Sequence, residues 1–388
     1  MKRIYLDWAA SAPVSSQALR AFSAALTSYG NPSSPHTEGR AATDILEDAR
    51  TRIARLAGVK SDAVLFTSGA TEANALGVMG HIRARMERGT APSDMHALVL
   101  PSAHASVRGA FSMLQNAGVV VEELLLTDGA IDLAHLRAQL RPTTVLVSVD
   151  VVCGETGALY KVRDVRRVLD EYTKTNGGTI TLHADASQAP FTESFEVSHL
   201  GADLVTLDAQ KVGGVRGIGV LIAPHRVPLA PLIEGGGQER GLRPGTESAA
   251  LAAAFCEALE EAVSSREVFT AQATQMRVQL LETLRELTDV EVNEGKVNAP
   301  TILNLSLLGR DTDYLVALLD EAGYAVSTRS ACETDSEGSR AVVALTGDER
   351  RAASTLRVSW GPTTRTQDLE GFAKAVLSAV RFLDANTI

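Results

Sequence analysis

Cysteine is scarce in this chain of 388 residues. The three present, Cys153, Cys256 and Cys332, are scattered and form no CxxC pair, so neither a disulfide framework nor a paired-cysteine zinc site is expected. That pattern reads as a reduced, intracellular protein. Long apolar runs are missing as well, and Asp7 interrupts the N-terminus too early for a signal-peptide core, which points to a soluble, cytoplasmic protein with no membrane partner. Runs of Lys or Arg are also lacking. With 37 basic against 47 acidic residues the formal charge is −10, so nucleic acid is a poor partner, although small anions can bind locally. There is no internal repeat and no low-complexity tract.

Apolar residues make up 45% of the chain, enough for two hydrophobic cores, and the length exceeds what one core usually serves. Between about residues 60 and 225, short β-rich runs alternate with helical stretches, the pattern of a mostly parallel sheet wrapped by helices. Strands are expected at 63–67, 97–101, 119–125, 144–149, 179–184, 204–207 and 219–222. Ligands of such sheets gather beyond the carboxyl ends of the strands, where residues 68–71, His104, Asp185 and Lys211 fall. Helical spacing over 247–288 predicts long helices leading out of this unit. Strands at 290–292, 301–305 and 356–358, with helices at 313–322 and 366–383, then predict a smaller α+β unit. The polar stretch 333–339 is its expected mobile loop.

Several residues carry chemistry, each with a plainer alternative. Lys211 follows a strand and precedes glycines at 213, 214, 217 and 219, which permit close backbone approach; otherwise it is a solvated loop lysine. Asp185 ends an apolar strand, where an unpaired carboxylate is costly, so it needs a cation or several donors; it could equally cap the next turn. A lysine amine that captures an aldehyde and a carboxylate that keeps a pyridine nitrogen protonated suit pyridoxal phosphate chemistry. The run Thr67-Ser68-Gly69-Ala70-Thr71 has backbone N–H groups, at Ala70 among others, and a Thr71 hydroxyl that could hold a phosphate, or it is an ordinary capped helix. His104 could lie over a ring and move protons, or be structural. Gln188 could donate to a phenolate oxygen or sit on the surface. Arg357, a charge inside an apolar strand, suits a substrate carboxylate or an internal salt bridge. Cys256 lies in an Ala-rich helix and reads as core packing. Cys332 lies in a polar loop where Arg329 favours a reactive thiolate while Glu333 and Asp335 oppose it.

Taken together, these motifs resemble the cysteine desulfurases, pyridoxal phosphate enzymes of the fold-type I, class-V aminotransferase-like group. The resemblance runs from Tyr5-Leu6-Asp7 and Gly30-Asn31-Pro32-Ser33-Ser34-Pro35-His36, through Thr67-Ser68-Gly69-Ala70-Thr71-Glu72, to Gly235–Glu247 and Ser330-Ala331-Cys332. It implies a large cofactor-binding domain over 14–258 with a seven-stranded sheet. A small domain, from 1–13 and 259–388, would carry the cysteine loop, which is of the long kind. It further implies Lys211 as the Schiff-base lysine, His104 as the ring-stacking acid–base group, Asp185 as the pyridinium partner and Gln188 as a phenolate contact. Thr71 would hold the phosphate in its own subunit and Thr246 that of the other subunit in a homodimer. Arg357 with Asn31 would bind the substrate carboxylate. Cys332 would take the sulfur of L-cysteine as a persulfide, leaving alanine, for a protein acceptor such as an iron–sulfur scaffold or sulfur carrier. A related lyase or transaminase, for instance on selenocysteine, and a degenerate non-catalytic relative are the competing expectations. Four positions depart from the resemblance: Gly154 where asparagine is usual, Asp208 and Gln210 where serine and histidine stand near the phosphate, and Arg329 in place of glycine. An aspartate facing a phosphate dianion repels it, so Asp208 is expected either to turn outward or to belong to a reorganised site.

Overall fold

The computed structural model describes residues 3–328 and 338–386. The chain opens with a short strand, β1 (Ile4–Tyr5), and two helices, α1 (Ser16–Ala25) and α2 (Thr37–Ala57). A seven-stranded sheet follows, formed by β2 (Val64–Thr67), β3 (His96–Val99), β4 (Val120–Glu123), β5 (Thr144–Asp150), β6 (Thr181–Asp185), β7 (Leu204–Asp208) and β8 (Gly219–Ile222). Its spatial order is β2-β8-β7-β6-β5-β3-β4. All pairings are parallel except those of β8, which runs antiparallel to both its neighbours.

Strands β5 to β8 are buried at every position, which is why they read as continuous apolar runs rather than alternating ones. Helices cover them. In α5 (Val162–Asn176), for example, Val162, Val165, Val168 and Leu169 form the buried stripe. Helix α3 (Ala70–Ala75) starts directly after β2, and α4 (Ala105–Asn116) after β3. At the first position of β8 a Cβ on Gly219 would come within 2.6 Å of the Gly69 carbonyl carbon, so only glycine lets this strand pass beneath the start of α3.

The expected long helices are a single one, α6 (Ala249–Leu284), with 36 residues. Its first half, with Phe255, Cys256 and Leu259, packs into the core of the large sheet; its second half, with Phe269, Met276 and Leu280, packs into a separate core. Cys256 is indeed core packing. The second core lies under an antiparallel sheet of β9 (Val290–Val292), β10 (Ile302–Leu307) and β12 (Thr355–Ser359), covered by α7 (Thr312–Glu321) and α8 (Thr366–Asn386). The N-terminal strand β1 pairs in parallel with β11 (Tyr324–Ala325), so Leu6 joins that second core. Among the described residues no helix is long and apolar enough to cross a membrane.

Candidate active site

A cavity of about 320 Å³ opens beyond the carboxyl ends of the central strands. Lys211, Asp185, His104, Gln188, Ala70, Thr71 and Arg357 all line it, together with Asp150 and Asp208. Lys211 closes a single tight turn, Ala209–Lys211, that follows β7. Its Nζ donates to the carbonyl oxygens of Ala9 at 2.7 Å and Ala10 at 2.9 Å. Those carbonyls belong to the segment after β1, which is pinned across the site by Ala12 N–H to the Gln210 carbonyl (2.8 Å) and Ser15 N–H to that of Gly213 (2.8 Å).

Asp185 ends β6 and is 8% exposed. Its Oδ1 accepts from the Ser187 N–H (3.0 Å) and hydroxyl (2.6 Å), and its Oδ2 from Asn74 Nδ2 (2.8 Å). These three donors satisfy the carboxylate, and among the described residues it has no ion pair. Asn74, fully buried on α3, also donates to Ser106 Oγ at 3.0 Å. Ser106 Oγ lies 2.8 Å from His104 Nδ1, and the Ser106 N–H donates to that same Nδ1 at 3.2 Å. Because Nδ1 accepts from a backbone donor, the neutral imidazole carries its proton on Nε2. Burial lowers the His104 pKa below its ordinary value; Lys211 and Arg108 add to this, while Asp185 and Asp208 oppose it.

The outward turn considered for Asp208 does not occur. Its Oδ2 accepts the Ala70 N–H at 2.9 Å and its Oδ1 the Gln210 N–H at 3.0 Å, so a buried carboxylate already sits at the start of α3. At Gly154 a Cβ would lie 3.0 Å from Gln188 Nε2, which donates to the Ala9 carbonyl at 2.9 Å, so a side chain there would require this flexible amide to shift by a few tenths of an ångström.

Arg357, from the middle of β12, is 2% exposed. It donates from Nη2 to Asp7 Oδ1 (2.8 Å) and from Nη1 to the Gly154 carbonyl (3.1 Å). The internal salt bridge is therefore present, yet the side chain lines the cavity, and among the described residues its buried Nε has no hydrogen-bond partner. Asn31 and Thr246 are exposed and do not line this cavity; Asn31 Oδ1 accepts the Ser33 N–H at 2.9 Å in the loop between α1 and α2. Cys332 and Arg329 lie outside the described residues, as does most of the 333–339 stretch.

Reading the sequence missed Ser187, which donates to Asp185, and Asn74 and Ser106, which link Asp185 to His104. The available signal was Asn74 itself, an amide three positions after Thr71 on the same short helix.

The sheet order, the cavity at its carboxyl edge and the lysine after β7 define the fold-type I class of pyridoxal phosphate enzymes. Known proteins narrow this further. The aminotransferase class-V family matches residues 4–372. Over 99% of its length the chain is 31% identical to a Bacillus subtilis protein named putative cysteine desulfurase IscS 1, covering 100% of it. It is also 31% identical, over 98% of its length, to a mitochondrial cysteine desulfurase of Arabidopsis thaliana, covering 83% of that protein. Among solved structures, a NifS-like protein superposes with a TM-score of 0.89 at 27% identity, over 98% of this chain and 100% of that one. SspA in complex with cysteine superposes with a TM-score of 0.79 at 27% identity, over 93% of this chain and 99% of that one. The chain belongs to the cysteine desulfurases of the class-V aminotransferase family.

Proposed function

We propose that this chain is a pyridoxal phosphate-dependent enzyme that moves the sulfur of L-cysteine onto Cys332, leaves L-alanine, and hands the persulfide to a protein acceptor such as an iron–sulfur scaffold or a sulfur carrier. The observation that carries this reading is the convergence of the Lys211 amine, the Asp185 carboxylate and the neutral His104 imidazole on one cavity, in a chain of this family. The residues present suit the cofactor's ring: a carboxylate with three donors and no ion pair among the described residues can take a cationic ring nitrogen. The phosphate end is contested by Asp208. When bound, the cofactor supplies an aldehyde that captures an amine and a ring that accepts electrons from the substrate's α-carbon.

Lys211 would hold the cofactor's aldehyde through its amine and would carry the substrate's α-proton at Nζ. Asp185 balances the ring nitrogen. His104 exchanges a proton at Nε2, and Gln188 offers an amide donor to the phenolate oxygen. Thr71 and Ala70 hold the phosphate, Ala70 only after Asp208 yields its N–H, and Thr246 reaches the phosphate of the other subunit in a homodimer. Arg357 would bind the substrate carboxylate by exchanging its present contacts with Asp7 and the Gly154 carbonyl, with Asn31 completing that site from the α1–α2 loop. Cys332 Sγ attacks the substrate sulfur as its bond to carbon breaks, and a proton then restores the methyl group of alanine. We place Cys332 in a loop of the long kind and the protein in the cytoplasm. We divide the chain at 14–258 against 1–13 with 259–388, because α6 bridges two separate apolar cores.

An absorbance spectrum before and after addition of L-cysteine tests the reading. Purified protein supplied with pyridoxal phosphate should show a band at the visible edge, lost in Lys211→Ala. Sulfur transfer should stop in Cys332→Ser while the coloured complex persists. A colourless protein that rejects the cofactor sinks the reading in favour of a non-catalytic role, and release of a keto acid sinks it in favour of a transaminase.

A further inference from the structure

Asp150 is a buried acid that no step above uses. It ends β5, is 5% exposed, and lines the cavity beside the site residues. Among the described residues its Oδ1 has no hydrogen-bond partner. In the parallel pairing of β5 with β6 it stands in register with Asp185, so the two side chains leave the sheet on the same face. Two carboxylates side by side in a buried floor cannot both ionise without a cation between them.

We infer that Asp150 and Asp185 act as a carboxyl pair that carries one proton, with Asp150 neutral as a hydrogen-bond donor into the cavity and Asp185 as the pair's one negative charge. The partners decide which acid keeps the proton. Three donors converge on Asp185, whereas among the described residues none reaches Asp150 Oδ1. The charged and titratable groups around Asp150 point the same way. Cys153 and Tyr160, in and just after the turn that follows β5, are both held neutral by burial, and Asp185 repels from β6. Among the described residues Arg108 of α4 opposes, and it donates through Nε to the Ala103 carbonyl at 3.0 Å. Burial first, then Asp185, pushes the Asp150 carboxyl well above the ordinary range.

The pair serves as a positioning device. With Asp150 protonated, a cationic ring nitrogen would meet one countercharge of the pair instead of two, and Asp150 would supply a donor for an acceptor atom of cofactor or substrate. That service rests on the proposed cofactor, but the proton on Asp150 does not.

Infrared spectra of the full-length protein over a pH series test the pair directly. At neutral pH the wild type should show the carbonyl stretch of a protonated carboxylic acid that is lost in Asp150→Asn. In Asp185→Asn, with the neighbouring charge gone, the pH at which that band disappears should drop by roughly one unit or more. Absence of an Asp150-dependent band, or an unchanged midpoint in Asp185→Asn, overturns the pair. Because a band can be obscured, the stability of Asp150→Asn serves as a second measure: the variant should match the wild type near pH 4 and exceed it at pH 7, and a constant difference overturns the inference. In protein loaded with pyridoxal phosphate, the ring-nitrogen NMR resonance should stay at its protonated position in Asp150→Asn and move in Asp185→Asn. A protein that takes up no cofactor sinks the proposed function and the ring clause together, while the infrared band still decides the pair.

Discussion

Asp208 sets the terms on which a phosphate enters. The Ala70 N–H that a phosphate oxygen would use is held by its Oδ2, and its second oxygen holds Gln210. Two unit charges about 4 Å apart repel by roughly 4 kcal/mol at an effective dielectric near 20, so the dianion must displace, protonate or rotate this carboxylate. Asp208→Ser should therefore bind pyridoxal phosphate at least ~10-fold more tightly relative to pyridoxal, which lacks the phosphate. The loss of two caps should cost only about 1 kcal/mol of stability. Absorbance titration with the two ligands measures the ratio, and a ratio equal to that of the wild type refutes the repulsion. Lys211, Asp185, His104 and Gln188 were legible in the sequence because an amine, an acid and an imidazole at strand ends narrow the chemistry by type alone. Asp150 was not. Read as a strand over 144–149, β5 stops one residue short, since aspartate is disfavoured in strands, and its partnership with Asp185 exists only through the register of two strands.

At the scale of elements, the run Gly235-Gly236-Gly237-Gln238-Glu239-Arg240-Gly241 reads as a polar, glycine-rich loop, yet its acid is an internal anchor. The Glu239 side chain is fully buried; its oxygens take both terminal nitrogens of Arg50 on α2, at 2.7 and 2.8 Å, and the Phe66 N–H of β2 at 2.9 Å. Reaching this position holds Glu239 and Arg240 in the left-handed region, at φ 48° and 60°. Glu239→Ala leaves the buried Arg50 with only the half-exposed Glu47, 3.0 Å from its Nε, as a counterion, and should lower the free energy of unfolding by about 3 kcal/mol in urea titrations. Arg50→Met combined with Glu239→Ala should recover part of that loss, because no charge is then stranded. A single variant within about 1 kcal/mol of wild type contradicts the anchor. No local pattern announces such a pair, since 189 residues separate its members. The strands, by contrast, were legible as β-rich runs, and 219–222 matches β8 end to end. What the runs do not carry is direction: nothing local to β8 says that it turns antiparallel. Helix α6 was expected as several helices, but with no glycine or proline between Ala249 and Leu284 nothing interrupts it.

For the whole molecule, the response to acid is set by buried histidines that must stay neutral. His81 Nδ1 lies 3.0 Å from the Pro228 carbonyl and donates to it, while its Nε2 accepts from Arg85 Nε at 3.1 Å, so both ring nitrogens are committed in the neutral form. Burial pushes its pKa down to about 4. His183, fully buried between the Ser148 and Thr206 hydroxyls, is lowered for the same reason. Between the unfolded value of about 6.5 and the folded one, the unfolded chain binds a proton that the folded chain refuses, so stability rises with pH across that window and is lost as pH falls through it. For His81 alone the full loss approaches about 3 kcal/mol. Asp150 acts in the opposite sense: the folded protein keeps a proton that the unfolded chain releases near pH 3.9, so its cost grows with rising pH. The wild-type profile is the difference of these slopes. Thermal melts from pH 4 to 7 should therefore show a moderate acid loss in the wild type, a flatter profile in His81→Gln and the steepest in Asp150→Asn. Parallel profiles for all three would mean that neither group changes its proton occupancy on folding.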